Sequence, residues 1–184
     1  MRIIFLDVDG VLNCALTKDR YKGMMGLDER FISNLVQLVE QSSIKDETRI
    51  VLSSSWRAGE DKDGKAIPDH LKYLDERLQA RGLEIYDETP VIQDSNDGYS
   101  SRRGLEIMTW LYIHREEGIK GIVILDDVVF EDFSKYKLGV FLVKSIYFSR
   151  AGGFIEPLID KALRILDIQI DVKSMLQERN FEGG

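Results

Sequence analysis

The chain has 184 residues, 43% of them hydrophobic and 31% charged, enough apolar material for one domain or one domain with a small insertion. No apolar run approaches bilayer-spanning length and no signal-peptide pattern precedes the first strand, so neither a membrane span nor secretion is expected. A formal net charge of −7 argues against broad, sequence-independent binding to nucleic acid, which depends on neutralising phosphates with Lys and Arg.

Residues 3–6 (Ile-Ile-Phe-Leu) read as a short strand buried on both faces, and Asp7-Val8-Asp9-Gly10 follows at once. Gly10 lets the backbone turn sharply at the strand's carboxyl edge, and alternation in an extended segment sends Asp7 and Asp9 to the same side. A loop with Gly23, Met24, Met25 and Gly26 comes next, and the methionine pair is expected to plug the space beneath it. The spacing of Phe31, Ile32, Leu35, Val36, Leu38 and Val39 predicts a helix over 28–40, with Asp28 as N-cap. Residues 49–54 form a second buried strand. A helix is expected over 68–81, with Pro68 in its first turn and Gly82 as C-cap. A short strand over 83–86 and a turn-rich loop over 94–101 follow. A helix over 103–117 leads to the strand 122–125, which ends on Asp126-Asp127. Residues 139–143 and 146–148 read as a last strand region, 154–166 as a closing helix, and the tail from Gln177 as poorly ordered. Strand and helix alternate throughout, the signature of an α/β fold with a parallel sheet.

Two acidic pairs, each at the end of a buried strand, point to one chemistry. Parallel neighbours bring their ends to one edge, so up to four carboxylates (Asp7, Asp9, Asp126, Asp127) converge on one pocket. Like charges held that close need a cation between them or a proton on one of them. Oxygen ligands without clustered His or Cys suit magnesium rather than zinc. A calcium loop is excluded, because the glycine comes too early and the bidentate glutamate at the twelfth position is missing. Between the acidic strands lies Ser53-Ser54-Ser55-Trp56-Arg57, hydroxyls at a strand end followed by a fork of donors, a composition suited to an anion. Cys14 is the only cysteine; it reads as packing, and without any possible intrachain disulfide a reducing cytoplasm is expected. His70 and His114 fall in helical stretches away from the Asp pairs and are not expected to ligate metal.

Asp7-Val8-Asp9-Gly10-Val11-Leu12, a hydroxyl after the second strand, a basic residue opening a later helix, and Ile124-Leu125-Asp126-Asp127 occur in that order. They resemble the four motifs of the haloacid dehalogenase (HAD) superfamily. The Ser-Ser-Trp-Arg string and Arg103-Gly104-Leu105-Glu106-Ile107 look most like one branch, the HAD domain of Swiss-army-knife RNA repair proteins, similar in motif layout to polynucleotide phosphatases. The resemblance, which spans residue 2 to about 166, implies a Rossmann-like three-layer sandwich around a central parallel sheet with a core over 1–166; residues 167–184 are expected to form a partly disordered extension. It implies that Asp7 is the nucleophile, that Asp9 is the acid and base, and that Mg2+ is held by Asp7, the Asp9 carbonyl and Asp126 or Asp127. Phosphate would be bound by Ser54, with Ser55 as runner-up and Ser53 still open, together with Arg57 and Arg103.

The chain departs from the superfamily at two places. Arg103 stands where lysine is usual, and Gly152-Gly153-Phe154 replaces the common Gly-Leu-Thr string. Only a loop separates the first strand from the first helix, so a capless or minimally capped, open pocket is expected. The function this implies is a Mg2+-dependent phosphomonoesterase acting through an aspartyl-phosphate on RNA or DNA ends. The alternatives are a nucleotide or other small-metabolite phosphatase, and a non-catalytic phosphate-binding HAD module. A receiver-like phosphoacceptor fits poorly, since its acidic pair normally precedes the phosphoacceptor strand.

Overall fold

Ile3, Ile4, Phe5 and Leu6 have no exposed surface, because their strand lies between two parallel neighbours. The computed structural model describes residues 1–58, 69–92, 102–179 and 181. In chain order it contains β1 (Arg2–Leu6), the two-residue strands β2 (Arg20–Tyr21) and β3 (Met24–Met25), α1 (Glu29–Gln41), β4 (Thr48–Leu52), α2 (His70–Gln79) and β5 (Ile85–Glu88). Then come α3 (Arg103–Ile113), β6 (Gly121–Asp126), α4 (Asp132–Lys135), β7 (Leu142–Lys144), α5 (Pro157–Leu166) and α6 (Val172–Glu178). Five strands form one all-parallel sheet in the order β5-β4-β1-β6-β7. β1 leads outward through α1 to β4 on one side, whereas β6 lies on its other side. Strand order therefore reverses beside β1, and that crevice is where open α/β sheets place ligands.

Helices cover both faces. α1 contacts α5 over one face, and Arg77 of α2 pairs with Glu29 of α1 beside them. α3 contacts α4 and α6 over the other, where the Trp110 ring meets Phe5 edge-on at 5.4 Å. The amphipathic reading of α1 holds: Phe31, Ile32, Leu35 and Leu38 are buried, and the Asp28 carboxylate accepts the Arg30 N–H as an N-cap. Gly82 sits at φ +73 just past α2, the left-handed cap that glycine tolerates without a Cβ penalty.

Several expectations shift. The fourth strand stops at Leu52, so the serines lie beyond the ladder; the third expected strand moves to Ile85–Glu88; and helix α3 ends at Ile113, not 117. Residues 146–148 form no strand, and Gly139 lies in a 3-10 turn, Leu138–Phe141. Met24 and Met25 plug nothing. They form one arm of a small antiparallel hairpin, with Met24 exposed and the Tyr147 hydroxyl donating to Met25 Sδ. This hairpin is the only helix or strand structure among the described residues between β1 and α1. At the start of the expected tail, Gln177 and Glu178 close α6, whose Val172, Met175 and Leu176 are buried, and Phe181 packs edge-on against Tyr136; residues 180 and 182–184 lie outside the described residues. Pro68 and the loop 94–101 lie outside the described residues.

Candidate active site at the carboxyl edge of the sheet

Backbone pairing carries one residue past each central strand. Asp7 N–H donates to Leu125 O at 2.9 Å, Ser53 N–H to Leu6 O at 2.8 Å, and Ser145 N–H to Asp126 O at 3.0 Å. Asp7, Ser53 and Asp126 are thus fixed side by side by the sheet itself. Ligand oxygens of Asp7, Asp126 and Asp127 lie within 4.8 Å of one another. Gly10 makes room for this: its φ is +78, and a Cβ there would fall 2.4 Å from Asp127 Cγ. The Ser145 hydroxyl donates to Gly10 O and holds the turn down.

Burial pushes the Asp7 carboxyl up to about 6, against the opposing pull of Arg103 and the Ser54 hydroxyl. Burial, then the Asp7 charge, pushes Asp126 up to about 8. Asp127 is raised as well, again chiefly by burial. Arg103 is the cation that faces Asp7 and Asp126, while the Lys144 charge acts on Asp127. Arg103, 5% exposed, opens α3 with Nη2 3.8 Å from Asp7 Oδ1 and Nε 3.8 Å from Asp126 Oδ2. Its Nη1 donates to Ser53 Oγ at 3.3 Å, and its Nε is buried without a hydrogen-bond partner. The helix start is pinned by Asp132, whose carboxylate accepts the Gly104 and Leu105 N–H groups at 3.1 and 2.9 Å.

Ser54 is wholly buried beside Asp7, where its hydroxyl helps hold that carboxylate, whereas Ser55 is exposed. Arg57 requires correction as a phosphate ligand. Its side chain is 3% exposed and paired with Glu106, and its donors also go to Ser54 O, to Thr89 O at 2.8 Å and to Pro90 O at 3.3 Å. Glu106 Oε2 meets Arg57 at ion-pair distance but outside hydrogen-bond geometry, while its Oε1 accepts the Ile92 N–H at 3.1 Å. Arg57 therefore ties the serine turn to α3, one turn from Arg103. The Asp9 carboxylate stands apart from the three-carboxylate group, accepting from Asn13 Nδ2 at 2.7 Å and Trp56 Nε1 at 3.0 Å. His70 stacks on Trp56 and His114 on Trp110; neither joins the carboxylates. Cys14 is buried packing. Sequence reasoning missed Asn13, Glu106 and Asp132. Glu106 carried a signal, three residues after Arg103 in a helix's first turn. Asp132 carried none, since its partner lies in a different element.

A parallel sheet with Asp-x-Asp at the end of its central strand, and an acidic pair at the end of the next, is the arrangement of a HAD-type, hydrolase-like domain. The chain belongs to the family described as the HAD domain in Swiss Army Knife RNA repair proteins, whose profile matches residues 3–147. That span holds every carboxylate of the site and Arg103, and ends before α5 and α6. No curated protein and no solved structure matches the chain. Among the described residues no helix is long and apolar enough to cross a membrane.

Proposed function

We propose that this protein is a Mg2+-dependent phosphomonoesterase that works through an aspartyl-phosphate, acting on phosphorylated nucleic-acid ends in the cytoplasm. One observation carries the reading: a buried arginine with an unsatisfied Nε faces two buried carboxylates whose proton affinities are raised. As pure scaffold this arrangement is costly; as a site for a cation and a phosphate it is complementary. The donor set, hard oxygens with no sulfur or imidazole, fits magnesium. Asp7, Asp126 or Asp127, and the Asp9 carbonyl would hold the ion, which supplies charge neutralisation between an anionic nucleophile and an anionic ester.

Asp7 Oδ attacks phosphorus, the bond from phosphorus to the ester oxygen breaks, and that oxygen takes a proton from Asp9. Water then attacks the aspartyl-phosphate, gives its proton to Asp9, and releases inorganic phosphate and the Asp7 carboxylate. Arg103 and the Ser54 hydroxyl hold the phosphoryl oxygens throughout. Arg103 adds a bidentate fork that lysine lacks.

The mouth supports a polymeric substrate. Phe148, on the loop after β7, is 86% exposed and edge-on to Tyr147, with exposed Lys144 closing β7 and exposed Arg150 two residues beyond Phe148. An aromatic face between basic residues suits a base next to its phosphate, each stacked base contributing about 1–3 kcal/mol. Turnover of a 3′-phosphorylated oligonucleotide, compared with that of free nucleotides, tests the substrate class. We expect a higher kcat/KM for the oligonucleotide; faster hydrolysis of free nucleotides overturns that preference. Asp7→Asn should cut turnover of any ester by roughly 10^4-fold or more. Unchanged hydrolysis in that variant overturns the mechanism.

A further inference from the structure

The Asp9 carboxylate is held more firmly than its place at an open edge requires. Asn13 Nδ2 donates to Oδ1 at 2.7 Å and Trp56 Nε1 to Oδ2 at 3.0 Å. The direction of each donor is fixed from behind. Asn13 is wholly buried, and its own Oδ1 accepts the Gly10 N–H at 3.0 Å, so its amide has only the NH2 to turn toward Asp9. Trp56 is 8% exposed, and its ring stacks on the buried His70 at 4.8 Å and 23°. Both elements that grip Asp9 are themselves anchored, Asn13 in the turn that follows β1 and Trp56 against the start of α2.

We propose that Trp56 and Asn13 are positioning residues that set the Asp9 carboxyl for proton transfer; this rests on the phosphatase reading above. A carboxylate oxygen has two lone pairs, and one N–H on each oxygen leaves a second on each for a proton. The two donors thus restrict rotation of the side chain without occupying the reactive sites. Indole and carboxamide suit the task because neither exchanges protons with its partner in the physiological range. A serine, lysine or histidine at the same place would accept, donate or titrate. The stack on His70 gives the indole the rigidity that a lone side chain lacks.

Trp56→Phe keeps a ring against His70 and deletes the N–H. The test compares kcat/KM for two esters, p-nitrophenyl phosphate, whose leaving group needs little protonation, and a 3′-phosphorylated oligonucleotide, whose alkoxide needs it. Because kcat/KM reports steps up to phosphoryl transfer, the variant should lose about 10- to 100-fold on the oligonucleotide and less than about 3-fold on the aryl ester. Asn13→Ala gives a second, independent removal of a donor with the same expected asymmetry, and serves should Trp56→Phe fail to fold. Equal losses on both esters, or no loss on either, with an active wild type and an inactive Asp7→Asn, overturn the positioning role alone. A wild type inactive on both esters overturns the phosphatase reading and this inference with it.

Discussion

Arg57 and Arg103 occupy neighbouring regions of the same sheet edge, both buried, and their surroundings differ in kind. Around Arg57 the guanidinium is used up: three carbonyls from the serine turn and from residues 89 and 90, and the Glu106 carboxylate. Around Arg103, among the described residues, the nearest carboxylate oxygens stand at 3.8 Å, one hydroxyl accepts at 3.3 Å, and Nε has no hydrogen-bond partner. A buried cation whose donors are saturated by main-chain oxygens is scaffold. One held among carboxylates at distances too long for hydrogen bonds still has directional capacity for a ligand. The difference separates what holds the site from what acts in it, although the two residues are alike in chemistry and burial.

Truncating each arginine is the most forceful way to break that contrast. Arg57→Met should strand Glu106 without its counter-charge and lower stability by about 3–5 kcal/mol. At about 2–4 °C per kcal/mol for a chain of this size, the melting temperature falls by roughly 6–20 °C. Arg103→Met should cost about 10²–10³-fold in kcat with magnesium present, the usual loss for one preorganised donor, and should move the melting temperature by less than about 4 °C. Thermal melts and steady-state kinetics on both variants check this. A large activity loss with intact stability at Arg57, or the reverse at Arg103, would exchange their roles.

The carboxylates facing Arg103 give a smaller effect with a definite sign. Asp7 and Asp126 have native-state affinities raised to about 6 and about 8, from an ordinary value of 3.8. The native protein therefore binds these protons more tightly than the unfolded chain. Below about pH 4 both states are protonated and nothing is lost; as pH rises from there through 8, the unfolded chain ionises first and stability falls. In chelator the melting temperature should drop between pH 5 and pH 8.5, more steeply in the wild type than in Asp126→Asn, by at least about 3 °C. Magnesium binds the ionised carboxylates and should restore most of the difference at the alkaline end. An equal drop in the Asp126→Asn protein would sever these carboxylates from the effect.

Much of this region was legible from residue order. Apolar runs ending on Asp7 and Asp126 named two parallel strand ends, because a fully buried strand has no alternation to preserve and its charges collect at the edge. Arg103 was legible as the basic residue opening a helix. Arg57 misled for a physical reason: a fork of donors beside hydroxyls has the same composition whether it faces an anion or main-chain carbonyls. Only the path of residues 89 and 90 past the serine turn decides which, and that path is a tertiary fact. The Trp56 N–H reaching Asp9 was hidden likewise, since it spans β4 and β1. Short elements such as the β2–β3 hairpin and α4 have too few residues for any period to register.

The finest probe of the contrast is lysine, which keeps charge and shortens the list of directions. At Arg103 the site asks for a cation near two carboxylates and a phosphate, and an ammonium meets that demand as a point charge. Arg103→Lys should therefore retain activity within about 10-fold, the loss reflecting the missing fork, with no measurable change in stability. At Arg57 the three nitrogens Nε, Nη1 and Nη2 each donate to a separate carbonyl while the charge faces Glu106, a spread of donors that a single ammonium nitrogen does not reproduce. Arg57→Lys should leave at least one buried carbonyl unpaired and cost about 1–3 kcal/mol, seen as a melting temperature lower by several degrees. If lysine were tolerated at residue 57 and ruinous at 103, planar geometry would matter at the phosphate and charge alone at the scaffold. The distances around the two guanidinium groups argue for the opposite assignment.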